Sequence, residues 1–177
     1  APSDALLKAW EGLGYYTRVR NLKRAAIEAL STHGGLPRDH DDWRRLPGVG
    51  PYTAAAISAI AFGEARLPLD GNIRRVLARL FDVAAADAGT GVGPRAGQGI
   101  GAGAGWGPRY DALLETHGLP LFKGLRRARV PELVQGLMEL GALVCHPRNP
   151  GCAACPVRTD CRAHAHGTVA LRPARRR

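Results

Sequence analysis

The sequence predicts an all-α protein, and three observations carry that prediction. Apolar residues recur at helical spacing through most of the chain, glycines and prolines punctuate those stretches where helices begin and end, and no stretch alternates with period two as a half-buried strand would. With 177 residues, 45% of them hydrophobic, the chain is long enough to bury a core and short enough for one or two small domains.

From Asp4 to Leu13, the residues Leu6, Leu7, Ala9, Trp10 and Leu13 share a helical face, with Pro2, Ser3 and Asp4 as a candidate cap. A second amphipathic helix over 18–30, "RVRNLKRAAIEAL", stops at "HGG", where glycine takes the left-handed conformation that ends helices. A short helix around "DDWRRL" leads into the turn "PGVG". An Ala-rich helix then runs from Pro51 to about Ala61 and ends at Gly63. The next helix covers 72–83, "NIRRVLARLFDV". After it, "GTGVGPRAGQGIGAGAGWG" has no periodicity and too few apolar side chains to pack, which predicts a flexible, low-complexity segment. Helical patterning resumes weakly at "RYDALLETHG" and firmly at "PELVQGLMELGALVC".

A formal charge of +10 asks for a polyanionic partner, and nucleic acid is the usual one, because each phosphate neutralised by Lys or Arg releases a counterion. A solvated basic surface with the basic end "RPARRR" is the plainer explanation of the same charge. No apolar run approaches the roughly 18 residues of a membrane span, and "APSDALLKAW" lacks the regions of a secretory signal. These features predict a soluble intracellular protein with no membrane partner, cytoplasmic and nucleoid-associated if bacterial. The chain opens without Met, as though inside a domain.

"LPGVGPY", Leu46 to Tyr52, joins two helical segments through glycines that permit tight turning and leave amide N–H groups uncovered. Pro51 suits the first turn of the following helix. Such a hairpin either presents backbone donors and a helix N-terminus to a phosphate, or is an ordinary connection between helices.

Cys145, Cys152, Cys155 and Cys161 follow the spacing C-x6-C-x2-C-x5-C and account for every cysteine in the chain. Four thiols so close together suit a metal centre rather than two disulfides. Zinc more often shows two C-x2-C knuckles, whereas one pair flanked by wider loops fits a [4Fe-4S] cube; structural zinc remains the alternative. Between the first two cysteines, "HPRNPG" places Arg148 where it can reach a phosphate.

In "LPLDGNIRRVLARL", Asp70 stands two residues before Asn72 at the mouth of a basic helix. A carboxylate there is a common N-cap. It is also a residue type that does chemistry.

A glycine-rich hairpin, a downstream Asp before a helix and this cysteine spacing, in this order, resemble the helix-hairpin-helix DNA glycosylases, and within them the adenine DNA glycosylase (MutY) family. The segments "WEGLGYYTRVRNLKRAA", "HGG", "LPGVGPYTAAAISAIAFGE", "LDGNIRRVLARL", "LMELGALVC" and the four-cysteine tail carry the resemblance, over 1–83 and 130–161. It implies a helix-hairpin-helix fold with a [4Fe-4S] cluster domain. The implied activity is hydrolysis of the N-glycosidic bond of adenine mispaired with 8-oxoguanine or guanine, by a monomer on double-stranded DNA. Endonuclease III resembles the chain in the hairpin and cluster, but needs a lysine where this sequence has Tyr52. A neutral phenol is no amine nucleophile, so base removal without lyase chemistry is expected.

By resemblance Asp70 is the carboxylate beside the sugar, Asn72 helps position the reacting groups, and Tyr52 lies near the flipped adenosine. Gly48, Val49 and Gly50 would offer backbone donors to a phosphate. Tyr15 resembles the tyrosine that wedges beside 8-oxoguanine, while a core aromatic suits Tyr16 better. Arg74 and Arg75 would either bind the DNA backbone or face solvent, Arg74 being the candidate contact. Cys145, Cys152, Cys155 and Cys161 would hold the cluster.

The expected organisation is a partial six-helix barrel over 1–66 containing the hairpin at about 40–62, then a cluster domain over 67–165. A Gly-rich insertion at about 84–108 and a basic tail over 166–177 complete it. The resemblance also implies a glutamic acid that protonates the leaving adenine from a helix upstream of residue 1, Glu11 not matching its motif, and a C-terminal Nudix-like domain beyond residue 177.

Overall fold

A computed structural model describes residues 2–84, 87 and 107–173. Eight α-helices make up the regular structure there, with short 3-10 turns between them and no strand among the described residues. No described helix is long and apolar enough to cross a membrane. The expected Gly-rich segment lies outside the described residues apart from its ends and Asp87, as do 174–177 of the basic end.

Helix α1 spans Ser3–Ala9, shorter than its apolar spacing predicted. The glycines of "GLG" end it: Gly12 and Gly14 take positive φ, and the Trp10 indole donates to the Gly14 carbonyl at 2.9 Å. Its N-cap is Pro2 with no side-chain cap bond, and the Ser3 hydroxyl instead accepts from Lys23 Nζ. Helix α2, Tyr16–His33, ends at Gly34 in the left-handed conformation as expected. It buries Val19, Ala25 and Ala29 and leaves Leu22, Ile27 and Leu30 exposed. Asp39 caps α3, His40–Arg45, by accepting the Asp41 amide. Helix α4, Pro51–Phe62, starts with Pro51 in its first turn and stops at Gly63. Trp43 and Leu46 pack with Ala25, Ala29 and Ala54 to form the smaller apolar cluster.

The larger core surrounds α5, Gly71–Leu80. Six of its ten residues are buried, on every side of the helix, so α5 is a central element rather than a surface one. It packs against α6 (Pro108–Gly118), α7 (Val130–Leu143) and α8 (Arg162–Ala165). Ile73, Val76 and Leu77 meet Tyr110, Leu114, Val134 and Leu137 there, and Ala59 of α4 joins the same cluster. Each fully buried Leu or Ile contributes on the order of 2 kcal/mol. The helix ends three residues before the predicted Val83, because Asp82 takes φ +56° and turns the chain away.

The seam between α5 and α7 depends on a missing side chain. A Cβ placed on Gly141 would lie 2.6 Å from Asn72 Cβ and 3.0 Å from the Asn72 Cα and carbonyl oxygen. Only glycine permits that approach. The substitution Gly141→Ala should therefore cost about 1–3 kcal/mol in chemical denaturation by forcing the two helices apart. An unchanged midpoint would show that the seam yields freely.

Candidate active site and cysteine cavity

Asp70 sits in extended backbone, φ −92° and ψ −176°, immediately before α5. One carboxylate oxygen, Oδ1, accepts the Ile73 amide at 2.7 Å, so the residue is an N-cap. The other oxygen has no hydrogen-bond or ion-pair partner among the described residues. A cap bond thus fixes the carboxylate while one oxygen stays available. Tyr52, on the first turn of α4 and 44% exposed, lies close enough to feel that charge. Burial raises the Tyr52 pKa, and the Asp70 carboxylate raises it further, so the phenol stays neutral.

Asn72 is less free than the sequence suggested. Its Oδ1 accepts from Arg75 Nη2 at 2.8 Å, which ties it into the α5–α7 seam. Arg75 is buried and also donates to the carbonyls of Gly71, Gly141 and Cys145. Burial lowers its pKa, while the Cys145 and Asp70 charges oppose that shift and Arg79 adds to it. Arg74 is corrected as an open DNA contact: its Nε and Nη2 donate to the two Asp111 oxygens, both at 2.7 Å, in a bidentate pair that joins α5 to α6. Neither arginine faces solvent freely. One signal was present in the sequence, since Asn72, Arg75 and Arg79 fall at i, i+3 and i+7 and form one polar stripe along the helix.

The hairpin puts its glycines next to Tyr52. Gly48 has φ +77°, and a Cβ there would meet Asn21 Cβ at 2.6 Å, so α2 backs the turn closely. The Gly48 and Gly50 amides donate to no described carbonyl. Val49 is a correction: its amide already donates to the Leu46 carbonyl at 3.1 Å and is not an open donor. Tyr15 is 69% exposed and holds a left-handed backbone, φ +48°, at the start of α2. Tyr16 is also exposed, so the core aromatic expected there is absent.

All four cysteines are free thiols and line one cavity, together with Arg79 and Val169. Cys145 follows α7, Cys152 and Cys155 bracket a 3-10 turn, and Cys161 caps α8. Arg79 Nη1 donates to Cys145 Sγ at 3.3 Å, and the Cys161 thiol donates to the Arg79 carbonyl at 3.4 Å. Burial pushes the Cys161 thiol up; a backbone hydrogen bond at His164 lowers it, and the other three cysteines raise it again. No three His, Cys, Asp or Glu side chains among the described residues are arranged to hold a single metal ion. Four soft donors line one cavity, the donor set that suits a metal centre. Arg148 is exposed on the loop between Cys145 and Cys152, in a shallow groove that shares Cys152 and Val169 with the cavity.

Comparison with known proteins places this arrangement. Residues 31–60 match the helix-hairpin-helix motif, spanning the end of α2 through the hairpin and most of α4. The human adenine DNA glycosylase is 38% identical over 165 residues, 92% of this chain and 26% of that protein. The chain is homologous to a part of the adenine DNA glycosylases. It spans about a quarter to a third of the length of the human, mouse and fission-yeast relatives, which are 32–38% identical to it. Among solved structures, a thermostable thymine-DNA glycosylase superposes with a TM-score of 0.68 at 26% identity, over 94% of this chain and 67% of that one. A non-covalent endonuclease III–DNA complex gives 0.60 at 22% identity, over 94% and 67%, which shows the fold alone.

With the glycosylase homology in hand, Arg75 is the residue whose importance to the site was least visible. Replacing it by leucine strands the Gly141 and Cys145 carbonyls and the Asn72 amide oxygen. We expect Arg75→Leu to lose roughly 3 kcal/mol of stability. A loss below about 1 kcal/mol in urea titration would mean that water replaces the guanidinium without penalty.

Proposed function

We propose that this chain carries the base-excising carboxylate of an adenine DNA glycosylase, acting on adenine opposite 8-oxoguanine or guanine in double-stranded DNA inside the cell. The observation that carries the reading is Asp70: a carboxylate locked by its own cap bond, one oxygen open, close enough to a neutral phenol for its charge to be felt there.

The chemistry follows from that placement. Excision requires the nucleotide to leave the stack, after which the C–N bond breaks through a sugar with oxocarbenium character. The open Asp70 oxygen stabilises that positive charge electrostatically or by transient bonding, as one carboxylate of a glycosidase pair does. The Gly48 and Gly50 amides, with the start of α4, hold a backbone phosphate and so set the register of the duplex. Tyr52 offers no amine, which supports hydrolysis without strand cleavage. The exposed Tyr15 ring, on a left-handed turn, is suited to enter the duplex beside the partner base. The acid that protonates the leaving adenine is assigned to no residue of this chain.

The four cysteines support a [4Fe-4S] cluster, held by Cys145, Cys152, Cys155 and Cys161. Such a group cross-links the end of α7 to α8 and keeps the Arg148 loop in place for a phosphate. Iron and sulfide analysis should give four of each per chain. One zinc and no iron would overturn that assignment.

Adenine release from a duplex with one adenine opposite 8-oxoguanine, with the chain in excess, tests the reaction directly. Asp70→Asn keeps a capping side chain, so stability should change by less than about 1 kcal/mol while release falls at least about a hundredfold. Equal release by both proteins would remove Asp70 from the mechanism. Duplex binding should weaken steeply between about 50 and 200 mM salt for both.

A further inference from the structure

Beyond the reaction, the structure ties one segment across the cysteine cavity in an unusual way. The chain after α8, residues 166–172, sends three side chains to one carboxylate. Thr168 Oγ1 donates to Asp82 Oδ1 at 2.6 Å, Arg172 Nε forms an ion pair with the same oxygen at 2.8 Å and donates to the Asp82 carbonyl at 3.3 Å, and His166 Nδ1 donates to Oδ2 at 2.8 Å. Arg79, a turn earlier on α5, takes the backbone of the same segment: its Nε donates to the carbonyls of Val169 at 3.1 Å and Arg172 at 2.8 Å. That guanidinium also reaches Cys145 Sγ and the His146 carbonyl. Val169, in the middle of the segment, lines the cavity beside the four cysteines.

Asp82 is set up for this task. It holds φ +56°, a left-handed conformation rare outside glycine, which Asp and Asn tolerate better than other side chains. Its side chain is only 14% exposed although it lies in a turn at the end of a helix. A strained, charged residue that collects three donors from one segment is a fastening rather than a solvated turn.

We propose that residues 166–172 form a strap over the cysteine cavity, that Asp82 is the latch holding it, and that the latch governs how readily solvent, chelators and oxidants reach whatever the four thiols bind. The segment lines the cavity at Val169, so releasing it widens the path to the sulfurs. Solvent access is one of the main factors setting the lifetime and potential of a thiolate-bound metal group. The chelation arm of the test rests on the iron–sulfur reading of the cavity; the exchange arm does not.

The test uses the protein as purified and its Asp82→Asn variant, which keeps a side chain suited to the left-handed turn while removing the charge and one acceptor oxygen. Amide hydrogen exchange across 166–172 should accelerate at least about tenfold in the variant, with α5 and α7 unchanged, because local release leaves the core intact. Acceleration spread equally over α5, α7 and the strap would mean global loosening and would overturn the latch. Iron release to a chelator, followed by absorbance, should accelerate at least about fivefold. A Thr168→Val and His166→Phe double variant, which removes two of the donors and leaves Asp82 in place, should reproduce both effects. Strap exchange and iron release within about twofold of the parent in both variants would end the proposal. If the parent contains no iron, the iron–sulfur reading fails, and the exchange rates of 166–172 alone decide the strap.

Discussion

Two buried guanidinium groups on one helix organise this molecule. Arg75 lies in the middle of α5 and Arg79 in its last turn, and their donors bind carbonyls supplied by α7, by the Cys145–Pro147 loop and by the segment after α8. Arginine suits this role because its planar fork spreads several donors over a rigid frame and carries a weakly hydrated charge. Buried charge is costly, and here it is offset by backbone oxygens that would otherwise lack partners where helices end. The apolar side chains of α5 fill the core. The arginines decide which loops sit around it.

That arrangement couples two regions far apart in sequence. The first turn of α5 holds Asp70 and Asn72; Arg75 joins that turn to α7 and to the Cys145 carbonyl; Arg79 joins the last turn to the thiol of Cys145 and to the strap. One helix therefore spans from the candidate sugar-facing carboxylate to the cysteine cavity.

Much of this was legible in the residues. Pro51 and the glycine at 63 bounded α4, and the cysteine spacing marked the four side chains that line one cavity. The cap at Asp70 was also readable, since a short carboxylate before a helix has one dominant local role. Tertiary pairing was harder to see. Arg74 and Arg75 are adjacent and chemically identical, and only the positions of Asp111 and of the α7 carbonyls separate their roles. Asp82 gave no signal at all, because its three partners lie more than eighty residues away, in a stretch that reads as a basic tail. The early end of α1 was misread for a simpler reason: Trp10 and Leu13 keep helical spacing across a glycine pair that breaks the helix.

The pairing of Arg74 with Asp111 bears on the strength of Asp70. Arg74 lies four residues after Asp70, and its amide already bonds to the Asp70 carbonyl, so its side chain starts one turn from the carboxylate. A loose guanidinium there would form an ion pair with Asp70 and offset its negative charge. By engaging Arg74 Nε and Nη2, α6 keeps that cation occupied elsewhere. Asp70 is left without an ion-pair partner among the described residues, in a chain whose formal charge is +10.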